Sequence, residues 1–282
     1  MTPPRLAILS LLAMTAFAAN SLLCRLALVN LEIDAASFAS IRILSGALAL
    51  WLIIKLQGKE TGPNGNWRSA FALFSYATAF SYAYINLSAG TGALLLFGAV
   101  QSTMILYGLR SGERLNKWQS AGFVFALLGL IVFMLPSIST PSLIDSILMI
   151  VAGIAWGAYS LLGKGAKKPL EMTTGNFVRA VPFSVGLSIL MMSQVHLSGT
   201  GILLATLSGA IASGMGYAIW YLVVRETTTT NSAIMQLSVP VIAGIGGIAF
   251  LDEAITLHQL VSSLAILMGI AVVILKPARK DS

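Results

Sequence analysis

The stretch NSAIMQLSVPVIAGIGGIAFLDEAITLHQLVSSLAILMGIAVVIL, Asn231 to Leu275, restates a pattern that begins at Thr91: TGALLLFGAVQSTMILYGLRSGERLNKWQSAGFVFALLGLIVFML. Each copy is an apolar run, an acidic turn and a second apolar run. In this register Glu113 meets Glu253, Gln119 meets Gln259, Leu127 meets Leu267, Gly129 meets Gly269 and Val132 meets Val272, without a gap. Further upstream, Ala13–Ala27 aligns with Ala152–Ala166, with identities at Ala13, Ala16, Ala19, Ser21, Leu22, Leu23 and Ala27, and Arg25 falls on Lys164. A fixed-period echo marks an internal repeat. The chain is therefore expected to consist of two related halves, residues 5–136 and 142–276.

Hydrophobic residues make up 57% of the chain and charged residues 10%, against about 25% charged in a soluble domain. Apolar runs of about 20 residues read as membrane helices. Ten are expected: Leu6–Leu28, Ala35–Leu56, Trp67–Ile85, Thr91–Leu109, Lys117–Leu135, Leu143–Leu162, Thr173–Gln194, Gly201–Val224, Asn231–Leu251 and Thr256–Leu275. The fold class is an all-α membrane protein. The first apolar run resembles a signal peptide, with Ala16-Phe17-Ala18 as a cleavage site. It continues to Val29, however, and the sixth segment repeats it, so it reads as a helix. The single cysteine, Cys24, rules out an internal disulfide.

Charge placement sets the direction of the helices. With the N-terminus inside, fourteen of the 17 basic residues fall at cytoplasmic positions: Arg5, Lys55, Lys59, Arg68, Arg110, Arg114, Lys117, Lys164, Lys167, Lys168, Arg225, Lys276, Arg279 and Lys280. The outer loops carry Glu32, Asp34, Asp252, Glu253 and His196 but no lysine or arginine. This asymmetry predicts both termini in the cytoplasm. Five helices per half is an odd number, so the second half is expected to sit inverted relative to the first. Inverted repeats of this kind build transporters, with the substrate near the midplane where the halves meet.

The chain resembles the drug/metabolite transporter superfamily in its ten-helix EamA form. The resemblance rests on Gly112-Glu113-Arg114-Leu115, Asp252-Glu253-Ala254-Ile255, the last helix of each half around Gly129 and Gly269, and Asn20-Ser21 against Tyr159-Ser160. Within that superfamily it is similar to the YddG-type exporters of aromatic amino acids. The resemblance implies a prokaryotic plasma (inner) membrane, an amino acid-like substrate, alternating access and a monomeric carrier. The chain departs at Pro240, whose first-half partner is Val100.

Polar and aromatic groups inside the spans are the candidate site. Tyr76 and Tyr82 lie in the third segment, Trp156 and Tyr159 in the sixth, Tyr217 and Trp220 in the eighth; Asn20 and Gln236 are uncharged polar residues in apolar helices. These eight are the expected substrate-binding residues. Buried Tyr and Trp need a partner for the polar tip, which suits a pocket. The competing reading for Asn20 and Gln236 is an interhelical hydrogen bond. Small residues of the third and eighth segments (Ser75 and Ala79; Gly209, Ser213 and Gly216) could open room for a ligand or serve close packing. Arg42 and Arg179 lie in the second and seventh segments. Each is a cationic handle for a carboxylate or a gate contact, unless it snorkels to the interface. Pro240, ahead of Gly244, Gly246 and Gly247, is the expected hinge.

All ten acidic residues fall in loops or at helix ends, so no carboxylate relay for protons is expected. The sequence contains no phosphate-binding loop, implies no cofactor, and shows no basic face with interleaved aromatics for nucleic acid. An intramembrane serine enzyme around Ser213 would need a histidine, and His196 and His258 both lie near the outer surface. A structural subunit is the remaining alternative to a carrier.

Overall fold

The computed structural model describes residues 2–58, 64–110, 116–134, 141–163, 166–226, 235–236, 238–254 and 256–275. The helices are α1 (Pro3–Val29), α2 (Ala35–Leu56), α3 (Trp67–Ala83), α4 (Ala89–Arg110), α5 (Lys117–Met134), α6 (Leu143–Leu162) and α7 (Pro169–Leu190). A short 3₁₀ turn (Met192–Gln194) precedes α8 (Gly199–Leu207), a π-helical segment (Ser208–Met215) and α9 (Gly216–Glu226), which together form one continuous rod. The chain continues with α10 (Ser238–Leu251) and α11 (Leu257–Leu275). The described residues thus form ten rods, and the only extended pairing among them is an isolated bridge between Ile33 and Leu197. The expected acidic turn Gly112–Leu115, Lys164, and the start of the ninth segment at Asn231–Ile234 lie outside the described residues.

Polar residues at the starts of the rods set their boundaries. The side chain of Asp34 accepts from the Ser37 backbone N–H at 2.9 Å, Asn66 from Ser69 at 2.8 Å and Ser198 from Gly201 at 2.9 Å. Asn116 and Gln119 each accept from the other's backbone N–H at 2.9 Å, a reciprocal cap. Most observed ends lie within three residues of expectation, and two elements differ more. Helix α7 begins at Pro169 rather than Thr173 and ends at Leu190, because proline is pre-shaped for a first helical turn. The eighth rod is not a plain α-helix, since eight of its residues are π-helical.

Among the described residues, five segments are long and apolar enough to cross a membrane: Pro4–Val29, Ala35–Leu56, Ala89–Arg110, Leu143–Leu162 and Gly199–Val223. Their outward faces carry large apolar side chains, among them Ile8, Leu11, Leu48, Trp51, Ile144 and Leu203, all exposed. So many exposed large apolar side chains suit hydrocarbon rather than water.

The two halves interleave. Helix α6 packs on α3 and α4, while α1 packs on the α8–α9 rod and on α10. Helix α2 meets α7 and the π segment, α4 meets α10, and α5 meets α11. Exchanging the halves (α1 for α6, α3 for the α8–α9 rod, α4 for α10) turns the first pair of contacts into the second. The crossing of α4 and α10 is close: a Cβ placed on Gly90 would lie 2.8 Å from the Gly244 Cα. Only glycine allows two backbones this near.

At the end of the bundle that carries Asp34, two sets of contacts tie the halves together. The Asp34 N–H donates to the His196 carbonyl at 3.0 Å and the Ser198 N–H to the Glu32 carbonyl at 2.9 Å. Close by, Arg25 pairs with Glu253 at 3.2 Å and donates to the carbonyls of Tyr84 and Ile85 at 3.0 and 2.6 Å. Glu253 in turn accepts from the Ala89 N–H, the first residue of α4, at 2.8 and 3.1 Å. At the opposite end, the segment before α3 is pinned to α7. The Asn64 side chain donates to Glu171 at 2.7 Å, the Asn66 N–H to Asn176 at 2.9 Å, and Arg179 to the Asn64 carbonyl at 2.9 Å.

Candidate functional site

Trp156, on α6, sits between side chains of both halves. Its ring lies 4.9 Å from Tyr76, 4.9 Å from Tyr217 and 5.5 Å from Tyr159, centroid to centroid. Phe80 continues the cluster from Tyr76 at 5.4 Å, and Phe17 approaches Tyr217 edge-on at 5.9 Å. Phe17, Tyr76, Phe80, Phe97, Trp156 and Tyr217, with Asn20, Ser21 and Ser213, line a cavity of about 20 Å³, space for roughly one water. The rings must part to admit anything larger.

The helix periods explain this assembly. Tyr76 and Phe80 are four residues apart on α3 and so share a face. Ser208 and Ser213 are five apart. In an α-helix that spacing would place them on different faces, but in a π-helix, where residue i bonds to i+5, it brings them together. Both then point into the protein: Ser208 donates to the Asn20 side-chain carbonyl at 2.5 Å, and Ser213 accepts from Arg42 Nε at 3.2 Å. Both serines are buried.

Arg42 is 2% exposed, so it does not snorkel. Nη2 donates to the Tyr76 hydroxyl at 2.8 Å. The guanidinium lies 4.9 Å from the Tyr76 ring centroid and 4.8 Å from that of Phe80, within cation–π range. Nη1 is buried and has no hydrogen-bond partner among the described residues. Asn20 Nδ2 also reaches the Tyr76 hydroxyl, at 3.3 Å. No acidic residue is among those lining the cavity.

The expected site residues fall into two groups. Asn20, Tyr76, Trp156 and Tyr217 line the cavity, and Tyr159 stacks behind Trp156. Tyr82 does not join them. It lies six residues beyond Tyr76, about 240° round the helix, and lines a separate pocket of about 150 Å³ with Leu28, Asp34 and Gln194. Trp220 packs edge-on against Phe17 at 5.8 Å, outside the lining. Gln236 is half-buried and also outside it. Arg42 and Arg179 are not a matched pair: Arg42 is buried against the cavity wall, while Arg179 donates to the carbonyls of Asn64 and Gly175 at the end of the bundle. Arg42 finds its partners on α3 and the π segment, whereas Arg179 reaches back along α7 to the segment before α3. Pro240 is the third residue of the described α10. The proline well inside a described helix is Pro182.

Phe17, Phe80, Phe97 and Ser208 were not among the expected site residues. The spacing of Phe80 from Tyr76 could have revealed it. Ser208 carries no such signal, because its orientation depends on the π segment.

Comparison with known proteins gives a consistent picture. A family model described as "EamA-like transporter family" matches residues 5–135 and again 143–275. An uncharacterized protein of Pseudomonas aeruginosa is 49% identical over 96% of this chain and 94% of its own length. A protein of Escherichia coli named "Probable amino-acid metabolite efflux pump" is 26% identical over 68% of this chain and 70% of its own. A solved crystal structure superposes with a TM-score of 0.70 at 16% identity, covering 97% of this chain and 98% of that one; this likeness concerns the fold alone.

Proposed function

The chain belongs to the EamA-like transporter family, and from that premise we propose that it exports aromatic and other large apolar amino acids across the plasma membrane. Family membership makes it a membrane transporter of small molecules rather than an enzyme. In the proposed arrangement ten spans form two inverted halves with both termini in the cytoplasm, and the halves rock about the cavity to expose it to each side in turn. The observation that carries the reading is the ring cluster around Trp156, built from both halves, where an aromatic side chain could replace one of the stacking partners. The likeness to a protein named as an amino-acid metabolite efflux pump supports the direction of transport and the substrate class.

With no carboxylate lining the cavity, movement down the substrate gradient needs no obligatory proton exchange. The test is uptake by proteoliposomes, with and without an imposed pH gradient. Phenylalanine should enter at least tenfold faster than glutamate, at a rate unaffected by the gradient. Equal entry of glutamate would refute the aromatic assignment, and concentrative uptake abolished by a protonophore would refute the facilitator mechanism.

A further inference from the structure

We infer that the cavity recognises the carboxylate of its substrate and not the ammonium, so that aryl carboxylates lacking an amino group are ligands and aryl amines are not. This rests on the reading of the Trp156 cavity as the substrate site. The argument begins with Arg42, which can only donate hydrogen bonds and stays charged at any physiological pH. It donates to the Tyr76 hydroxyl at 2.8 Å and to the Ser213 hydroxyl at 3.2 Å. Asn20 Nδ2 adds a second donation to Tyr76 at 3.3 Å. A hydroxyl has one proton and two lone pairs, so Tyr76 is saturated as an acceptor and keeps only its O–H to offer. Ser213 accepts once and keeps its own O–H as well. Among the described residues neither O–H has an acceptor in hydrogen-bond geometry, and both side chains line the cavity.

Asn20 adds to the same polarity. Its carbonyl oxygen is taken by Ser208, and its amide nitrogen has a second N–H to give. The wall therefore offers donors from Tyr76, Ser213 and Asn20, with the hydroxyls of Ser21 and Tyr217 beside them, each able to donate or accept. Behind the wall Arg42 retains a buried Nη1 with no partner among the described residues. The buried carboxylates of the described residues are engaged elsewhere: Asp145 accepts from Asn86 at 2.9 Å and Glu171 from Asn64 at 2.7 Å. A buried cation without a counter-ion is costly, and an anion that reaches it recovers part of that cost. A carboxylate accepts at both oxygens and answers a wall of donors. An ammonium has nothing to accept with and is repelled by the guanidinium. The rings then sort ligands by their aryl part, and the donors behind them by charge.

The test is direct binding to the purified full-length protein in lipid nanodiscs, measured by calorimetry and by Trp fluorescence. Three ligands share one aryl group and differ only in the head: 3-phenylpropionate, 3-phenylpropanamide and phenethylamine. The acid should bind at least tenfold more tightly than the amide or the amine. Ser213→Ala, a small change that leaves the rings in place, should weaken the acid five- to tenfold and the amide less than twofold. An amine that binds as tightly as the acid overturns the inference, as does a Ser213→Ala loss equal for acid and amide. In either case phenylalanine transport into proteoliposomes still decides the aromatic reading by itself. Failure of all three ligands to bind also overturns the inference, and phenylalanine transport again decides the aromatic reading separately.

Discussion

Glu253→Gln should open the end of the bundle that carries Asp34. The Glu253 carboxylate holds two donors at once: Arg25 Nε at 3.2 Å, and the Ala89 N–H at 2.8 and 3.1 Å. It thereby joins the turn after α10 to α1 and to the start of α4. The side chains of Arg25 and Glu253 are 14% and 13% exposed. That is too dry for the near-zero value of a surface pair and too wet for the 3–5 kcal/mol cost of breaking a fully buried one. Glutamine keeps one acceptor oxygen but removes the charge, a loss of about 2 kcal/mol on the scale of charged hydrogen bonds. If the contact exists only in the conformation closed at this end, the population should move about 30-fold toward opening. Cys24, adjacent to Arg25 and fully buried, is the only cysteine, so it is a built-in reporter. Its rate of reaction with a maleimide, measured in liposomes, should rise by up to 30-fold in Glu253→Gln. Arg25→Lys, which keeps the charge but loses the fork that reaches two carbonyls and a carboxylate, should give an intermediate rise. A labelling rate within twofold of the parent in Glu253→Gln, at equal thermal stability, would refute the latch: the pair would then be present in every conformation.

Gly209→Ala should destabilise the protein by about 1–3 kcal/mol, because the new Cβ would collide with the Arg42 carbonyl and Ser45 Oγ; Gly186→Ala, whose Cβ would meet nothing within 4 Å, is the control, and an equal loss of melting temperature in both would show that the α2–π-segment contact is slack. Pro240→Ala should slow transport while leaving substrate affinity within about threefold, since a hinge acts on rate; equal rates at matched expression would make the residue purely architectural. Cysteines placed at Asn116 and Thr256 in a Cys24→Ala background should be labelled from opposite sides of the membrane, and labelling of both from one side would exclude inverted halves.

The helices of the described residues and the repeat of one pattern along the chain were legible from the sequence alone. Each depends on a local property, such as twenty apolar residues in a row, an Asp34 or Ser198 at a helix start, or an offset repeat. Four residues that line the cavity, Asn20, Tyr76, Trp156 and Tyr217, and Tyr159 stacked behind them, were also legible, since a polar or amphipathic side chain in an apolar span stands out. Which face of each helix turns inward was not. In a soluble protein the inward face is the apolar one, but a helix packed among others in lipid is apolar all round: Leu50 is fully buried and Leu48 is exposed, two residues apart on α2. Tyr82 was therefore placed with Tyr76 although the helix turns it away. The π segment and the surroundings of Arg42 were likewise decided only by the tertiary structure. Ser208 and Ser213 come to one face through packing against α1 and α2, and the Arg42 guanidinium finds Tyr76, Phe80 and Ser213 on two other elements. Such partners lie 34 to 171 positions away in the chain, beyond the reach of any sequence window, and only the folded contacts bring them together.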